Sequence, residues 1–290
     1  MRKQVLLLWP LLLAMCGQEQ SVEPKISANW SHHGANHNSD KYAPLDQINA
    51  NNFESLEVVW RYSSPDLDLP EDLAYPTGDY RAVPLVVDGI MYVNSNHGLI
   101  SALNPRSGEE YWVFDPKSYE YGPPLFSPLQ TRGIEYWTDG NIQRLFIATA
   151  GKQLVSVDIK TGLPDPNFGD DGYVDLRQDF GKLEFEMNNI THGAPPIAIG
   201  STVVVGSKIY DFAMYNRSPP GHVRAYDAYT GQFKWRFNTI PQSGEFGNNT
   251  WENGSWREAG NTNVWTYMSA DDEEGIVYLP TSTPTNDYWG

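Results

Sequence analysis

The sequence predicts an all-β protein, a β-propeller built of four-stranded antiparallel blades, from three observations. The first is a phrase that recurs: Ala225-Tyr226-Asp227-Ala228-Tyr229-Thr230-Gly231-Gln232-Phe233-Lys234-Trp235, and before it Ala102-Leu103-Asn104-Pro105-Arg106-Ser107-Gly108-Glu109-Glu110-Tyr111-Trp112. A strand, a tight turn and an aromatic-ended strand at intervals mark a fold made by radial repetition. The second is the run of short β-branched segments ahead of each copy, punctuated by Asp-Gly or Gly-Ser as hairpins require. The third is composition: ten Trp and seventeen Tyr among 290 residues, with few stretches of helical period.

The elements follow in order. Residues 1–16 carry Arg2 and Lys3, an apolar stretch over 5–15 and Cys16, the pattern of a secretory signal. That stretch is too short to span a bilayer, which takes about 20 apolar residues. Leu13-Ala14-Met15-Cys16-Gly17 also resembles a bacterial lipoprotein cleavage box, in which Cys16 would become the lipid-bearing N-terminus of a periplasmic protein. Residues 17–55 form a polar N-terminal segment and 56–290 the partial propeller. Its first blade takes residues 84–87 and 90–93 and ends at Trp112; the second takes 145–148 and the degenerate copy Ser156-Val157-Asp158-Ile159-Lys160-Thr161-Gly162, with Phe168 standing near the Trp position. The third takes 196–199 and 203–205 and ends at Trp235, and a fourth opens at Asn263-Val264-Trp265 and runs through 275–279. In each turn the Asp or Asn bonds to the backbone ahead of it and Gly takes a positive φ. The Trp then has a large apolar face to bury against the neighbouring unit. About 3.5 blades are thus expected where propellers need four to eight, and the missing ones would be needed for closure.

The formal net charge of −16 argues against a nucleic-acid surface, and a single Cys excludes an internal disulfide or a Cys-based zinc site. His32, His33 and His37 have the composition of a metal tract, but their place in the polar segment ahead of the first blade predicts an exposed tail.

Beyond the repeats, Tyr42-Ala43-Pro44-Leu45-Asp46-Gln47-Ile48-Asn49, Gly221-His222-Val223-Arg224-Ala225-Tyr226-Asp227 and the run from Gly260 through Thr281-Ser282-Thr283-Pro284-Thr285-Asn286-Asp287 carry a family likeness. Together with the repeat phrase, they resemble the bacterial pyrroloquinoline-quinone (PQQ)-dependent dehydrogenases of the glucose and alcohol type, over nearly all of the mature chain. The resemblance implies an eight-bladed propeller with the quinone on its axis, of which this chain is similar to the N-terminal half. It also implies a sugar or alcohol substrate, Ca²⁺ or Mg²⁺ beside PQQ, and a respiratory quinone or cytochrome c as electron acceptor.

Such a site must hold a flat, tricarboxylate, electron-poor ring and polarise one carbonyl. Stacking surfaces, guanidinium groups and a hard cation suit that task. The resemblance makes Trp265 the indole floor, Arg132 the partner of a quinone carboxylate and carbonyl, and His97 a contact of the substrate. It places an acidic metal ligand at Asp211 and, where relatives have an Asn ligand, Thr283, with Thr285 as substitute. Two departures are visible. No adjacent cysteine pair is present, and Arg81 stands where many relatives have a cofactor-contacting Glu. The family's catalytic Asp base is expected beyond Gly290. A second reading is a cofactor-free binding propeller of the outer-membrane assembly type. Against it, Trp265, Arg132 and Asp211 would be wasted in a scaffold, and the loop from Pro241 to Gly260 looks like a site-covering insertion.

Overall fold

The computed structural model describes residues 29–73, 75–121, 129–180, 190–209 and 218–285. The apolar leader with Cys16 lies outside them. Three four-stranded antiparallel sheets succeed one another. The first is β1 (Leu85–Val87), β2 (Ile90–Asn94), β3 (Ile100–Leu103) and β4 (Glu110–Phe114), in that order. The second is β5 (Glu135–Thr138), β6 (Gln143–Ala148), β7 (Gln153–Asp158) and β8 (Tyr173–Asp175). A two-stranded ribbon of β9 (Ile190–Thr191) and β12 (Lys208–Ile209) flanks the third sheet, β10 (Ile197–Ile199), β11 (Thr202–Val205), β13 (Val223–Asp227) and β14 (Phe233–Phe237). A hairpin of β15 (Ser269–Asp271) and β16 (Ile276–Tyr278) follows. Among the described residues no helix is long and apolar enough to cross a membrane.

The central strands β3, β6, β7, β11 and β13 bury both faces, and a period of two assigns each side chain to one neighbour. Along β6, Leu145 and Ile147 pack with Leu85, Ile100 and Phe114 of the first sheet. Phe146 and Ala148 of the same strand face Val203, Val205 and Tyr226 of the third. Val204 and Ala225 then turn the other way, onto Val264, Met268 and Ala270. Three apolar layers therefore alternate with sheets, and the sheets stand face to face as propeller blades do.

The repeat phrase sets their spacing. In all three copies the acidic or amide side chain accepts backbone N–H groups ahead of it: Asn104 from Arg106 and Ser107, Asp158 from Lys160 and Thr161, Asp227 from Tyr229 and Thr230. Gly108, Gly162 and Gly231 close each turn at φ of 73°, 69° and 69°. The tryptophan of one unit lies on the glycine of the next. A Cβ on Gly108 would meet Trp60 at 2.7 Å, and one on Gly162 would meet Trp112 at 2.5 Å.

The degenerate second copy departs from its expected form. Phe168 does not take the Trp position; it is fully buried 5.4 Å from Phe146, between the second and third sheets. Val174 of β8 touches Gly231 instead, at 2.7 Å from where a Cβ would stand. The cause is local. Leu163 and Pro164 follow the turn glycine, and the chain loops through Gly169 and Gly172, at φ of 58° and 100°, before β8 begins.

Buried arginines bridge the second and third sheets. Arg144 pairs with Asp165 and donates to the carbonyls of Ala228 and Tyr229. Arg224 donates to the carbonyls of Leu176 and Gln178, lies over the Phe180 ring and meets His192 Nε2 at 3.1 Å. On the outer strand of the third sheet apolar groups remain open, among them Trp235 and Phe237 of β14, each more than 40% exposed and lining a groove shared with the β15–β16 hairpin.

Gly162→Ala and Gly140→Ala test the docking of tryptophan on glycine. Both residues have positive φ, but a Cβ on Gly140 would meet nothing within 4 Å. Gly140→Ala should therefore show only backbone strain, about 1–2 kcal/mol. Gly162→Ala should lose a further ~1–3 kcal/mol from crowding Trp112, measured by denaturant unfolding.

Acid sensitivity follows from His222. Burial, then Arg236 and Arg224, push its imidazole down to about 4, and His192 is lowered well below its usual value by burial and Arg224. Since the unfolded chain binds these protons more readily, their contribution is complete above pH 6.5 and is lost as pH falls towards 4. Thermal unfolding of His222→Asn should decline less between pH 6.5 and 5 than that of the parent.

Candidate functional site

In an antiparallel four-stranded sheet, the start of the first strand, the end of the second, the start of the third and the end of the fourth share one rim. The segments before β1, β5, β10 and β15 all open on that rim, and so do the turn between β2 and β3 and the residues after β16. Arg132, His97, Trp265, Thr283 and Thr285 consequently emerge at the same end of the arc, while the repeat turns lie at the other. Asp211 lies outside the described residues.

Arg132 and Trp265 meet. The guanidinium carbon sits 4.9 Å from the centre of the indole ring, and Trp265 as a residue is 39% exposed. The backbone around them is tied between blades: Arg132 N donates to Gly193 O at 2.7 Å, and the Tyr267 hydroxyl lies 2.6 Å from Arg81 O and 2.9 Å from Arg132 O. Gly206 approaches Val264 so closely that a Cβ there would stand 2.2 Å from Val264 O, so only glycine brings this loop beside Trp265. Burial and then the nearby Arg81 guanidinium lower the Arg132 pKa. Arg81 has Asp79 at 3.1 Å, on the exposed surface. A partly exposed indole in contact with one guanidinium, with a second repelling cation near the first, suits a planar polyanion, so the residues present fit a tricarboxylate quinone.

His97 is placed differently from an open substrate contact. Its side chain is buried, with Nδ1 3.0 Å from Asp66 Oδ2, and its carbonyl accepts from the Ser118 hydroxyl at 2.5 Å. Burial would raise the Asp66 carboxyl, but hydrogen bonds from His97 and Ser95 and the His97 charge bring it below its usual value. Thr285 Oγ1 accepts from Gly260 N at 2.9 Å, and Thr283 O accepts from Thr262 N at 3.1 Å. These contacts join residues 282–285 to the segment leading into Trp265, as does the Ser282 hydroxyl, 2.6 Å from Asn263 Oδ1. The loop from Pro241 to Gly260 forms two short 3-10 turns and is anchored near β14 by Glu245, which accepts from Asn238 Nδ2 at 2.7 Å.

The histidine cluster overturns the expectation of an exposed tail. Trp30 exchanges two backbone hydrogen bonds with Val86 on the free edge of β1, and Ala270 N of β15 donates to His37 O. Between these points the segment crosses the innermost strands. His32 Nδ1 lies 3.1 Å from Glu135 Oε2, His37 Nε2 lies 3.2 Å from Glu135 Oε1, and His37 Nδ1 reaches Asp272 at 2.7 Å. Glu135 Oε1 also accepts from Ala198 N of β10 at 2.9 Å. One carboxylate thus joins β5, β10 and the N-terminal segment. Its burial would raise its pKa, but the two imidazoles lower it below the ordinary carboxylate range. Burial opposes, and bonding to Glu135 and Asp272 outweighs it, so that His37 rises to about 8. His33 stacks on Tyr267 with ring centres 4.1 Å apart, which links this plug to the Arg132 backbone. Sequence reasoning missed Glu135, whose partners are 98 and 103 residues away.

The profile of the family described as "Glucose/ethanol/alcohol dehydrogenase, beta-propeller domain", designated PQQ, matches residues 30–290. The chain is 29% identical to quinoprotein glucose dehydrogenase A of Acinetobacter calcoaceticus, over 93% of its own length and 35% of that protein's. It is also 29% identical to the glycerol dehydrogenase large subunit of Gluconobacter thailandicus, over 94% of this chain and 37% of that one. The chain therefore spans about a third of the length of these relatives. Its fold matches the quinohemoprotein alcohol dehydrogenase of Pseudomonas putida HK5 with a TM-score of 0.70, covering 89% of this chain and 35% of that structure, at 25% identity.

Tyr267→Phe should cost about 1 kcal/mol, the usual net worth of one buried hydrogen bond. Chemical denaturation of the variant measures it, and an unchanged midpoint would show that the hydroxyl does not brace the Arg81 and Arg132 loops.

Proposed function

The chain belongs to the PQQ-dependent glucose/ethanol/alcohol dehydrogenase β-propeller family, and from that premise we propose that it forms part of an oxidoreductase that takes hydride from a sugar or alcohol. The observation that carries this reading is the partly exposed Trp265 indole in contact with the Arg132 guanidinium, with Arg81 near Arg132. Trp265 would support the flat cofactor, and the two guanidiniums would hold its carboxylates. PQQ, when bound, supplies the hydride acceptor. Arg132 has a planar fork that can bond a carboxylate and a carbonyl together, which a lysine cannot.

Ca²⁺ or Mg²⁺ completes the proposal, with Asp211 and the Thr283 to Thr285 segment as candidate oxygen ligands. Since Ca²⁺ takes six to eight oxygens, other blades and the cofactor would supply the rest. Further blades would also cover the open faces of Trp235 and Phe237 and provide the base that takes the alcohol proton. We further propose a periplasmic location, with anchoring through a lipid on Cys16, and transfer of electrons to a respiratory quinone or a cytochrome c. His97, buried against Asp66, would serve the substrate pocket by positioning the loop between β2 and β3 or by opening towards the substrate.

Titration of the full-length protein with PQQ and Ca²⁺ should quench tryptophan fluorescence. Trp265→Ala should lose most of that quenching, and Arg132→Lys should weaken binding about 10- to 100-fold, the equivalent of one charge-assisted hydrogen bond. Equal quenching in parent and Trp265→Ala would overturn the assignment of the floor.

A further inference from the structure

We propose that His32, His37 and Glu135 form a binding site for one divalent transition-metal ion of the zinc class, set within the plug that crosses the inner strands. Their donor atoms, two imidazole nitrogens and a carboxylate oxygen, all lie within 4.8 Å of one another. Each imidazole already stands at coordination-shell distance from an oxygen of Glu135. Metal–ligand bonds of about 2.0–2.1 Å in a tetrahedron put donors roughly 3.3 Å apart; His32 Nδ1 lies 3.1 Å from Glu135 Oε2 and His37 Nε2 lies 3.2 Å from Oε1. Small rotations of the carboxylate and the imidazoles would bring one donor from each residue to that spacing.

The surroundings fit an ion as well. A cavity of about 10 Å³ adjoins the three donors, lined also by Asn36, Pro196 and Met268, with room for one small occupant such as a bound water. His37 Nδ1 faces Asp272, so its other ring nitrogen is turned towards Glu135. A carboxylate holding the far nitrogen of a ligating histidine fixes its tautomer and strengthens it as a donor. Two nitrogens and one oxygen select zinc-like ions over Ca²⁺ or Mg²⁺, which prefer all-oxygen shells. The site is therefore distinct from any oxygen-ligated ion beside the quinone, and the proposal stands independently of the reaction proposed above. An ion here would tie the N-terminal segment to β5, and through His33 and Tyr267 it would stiffen the loops that carry Arg81 and Arg132.

The test uses the full chain, stripped with a chelator and then held in excess Ca²⁺ so that oxygen sites are filled. Added Co²⁺ should bind at one ion per chain with visible absorption bands of low-symmetry coordination, and Zn²⁺ should displace it. His32→Ala and Glu135→Gln should abolish the bands. Asp272→Asn, a conservative change at an exposed side chain, should weaken binding about 10- to 100-fold. The absence of stoichiometric binding to the folded parent, or binding by His32→Ala as tight as the parent's, would overturn the proposal and leave a purely hydrogen-bonded clasp.

Discussion

The contact on which the architecture depends is the tryptophan laid on the next unit's glycine. Trp60 on Gly108 and Trp112 on Gly162 require two things at once: a side chain wide enough to reach the neighbouring turn, and a turn residue with no Cβ to hold it off. The positive φ of the turn and the closeness of the indole demand glycine for separate reasons, so the position is doubly constrained. This docking brings successive sheets together at the rim of the repeat turns. The loops that precede each inner strand are gathered at the opposite rim, which is how Arg132 of the second unit comes to lie over Trp265 of the fourth.

Legibility followed the range of the interaction. The turns are local, and Asn104, Asp158 and Asp227 each bond within three residues, so their spelling showed both the turn and its repeat. Trp265 and Arg132 were each named through family likeness, since no local pattern separates a site indole from a packing indole, and their contact with one another was not foreseen. Where the phrase degenerated, spelling misled. Phe168 has the right aromatic character, but Leu163 and Pro164 lengthen the connection, and Val174 does the docking.

The histidines show the opposite limit. A polar stretch with three His reads as solvated because its partners cannot be seen from within it. What buries it is Glu135, at the mouth of β5, and Asp272, in the turn of the last hairpin. An acidic residue at the start of a buried inner strand is an anomaly that composition alone does not flag. It is stable only because Ala198 N and two imidazoles share its oxygens, since a buried carboxylate without partners costs several kcal/mol. Arg144 and Arg224 follow the same rule, each buried with two backbone carbonyls and one further side chain, Asp165 or His192, as partners.

That plug has a consequence in time. His37 reaches a partner 235 residues further along the chain, whereas each sheet closes from neighbouring strands. Contacts of such separation carry a large loop-closure cost and form late. The blades can therefore pack in order as they are synthesised, while the N-terminal segment waits for the fourth unit before it can seat. The segment that carries His32 and His37 is thus among the last to find its place, and it acts as the latch that registers the arc's assembly.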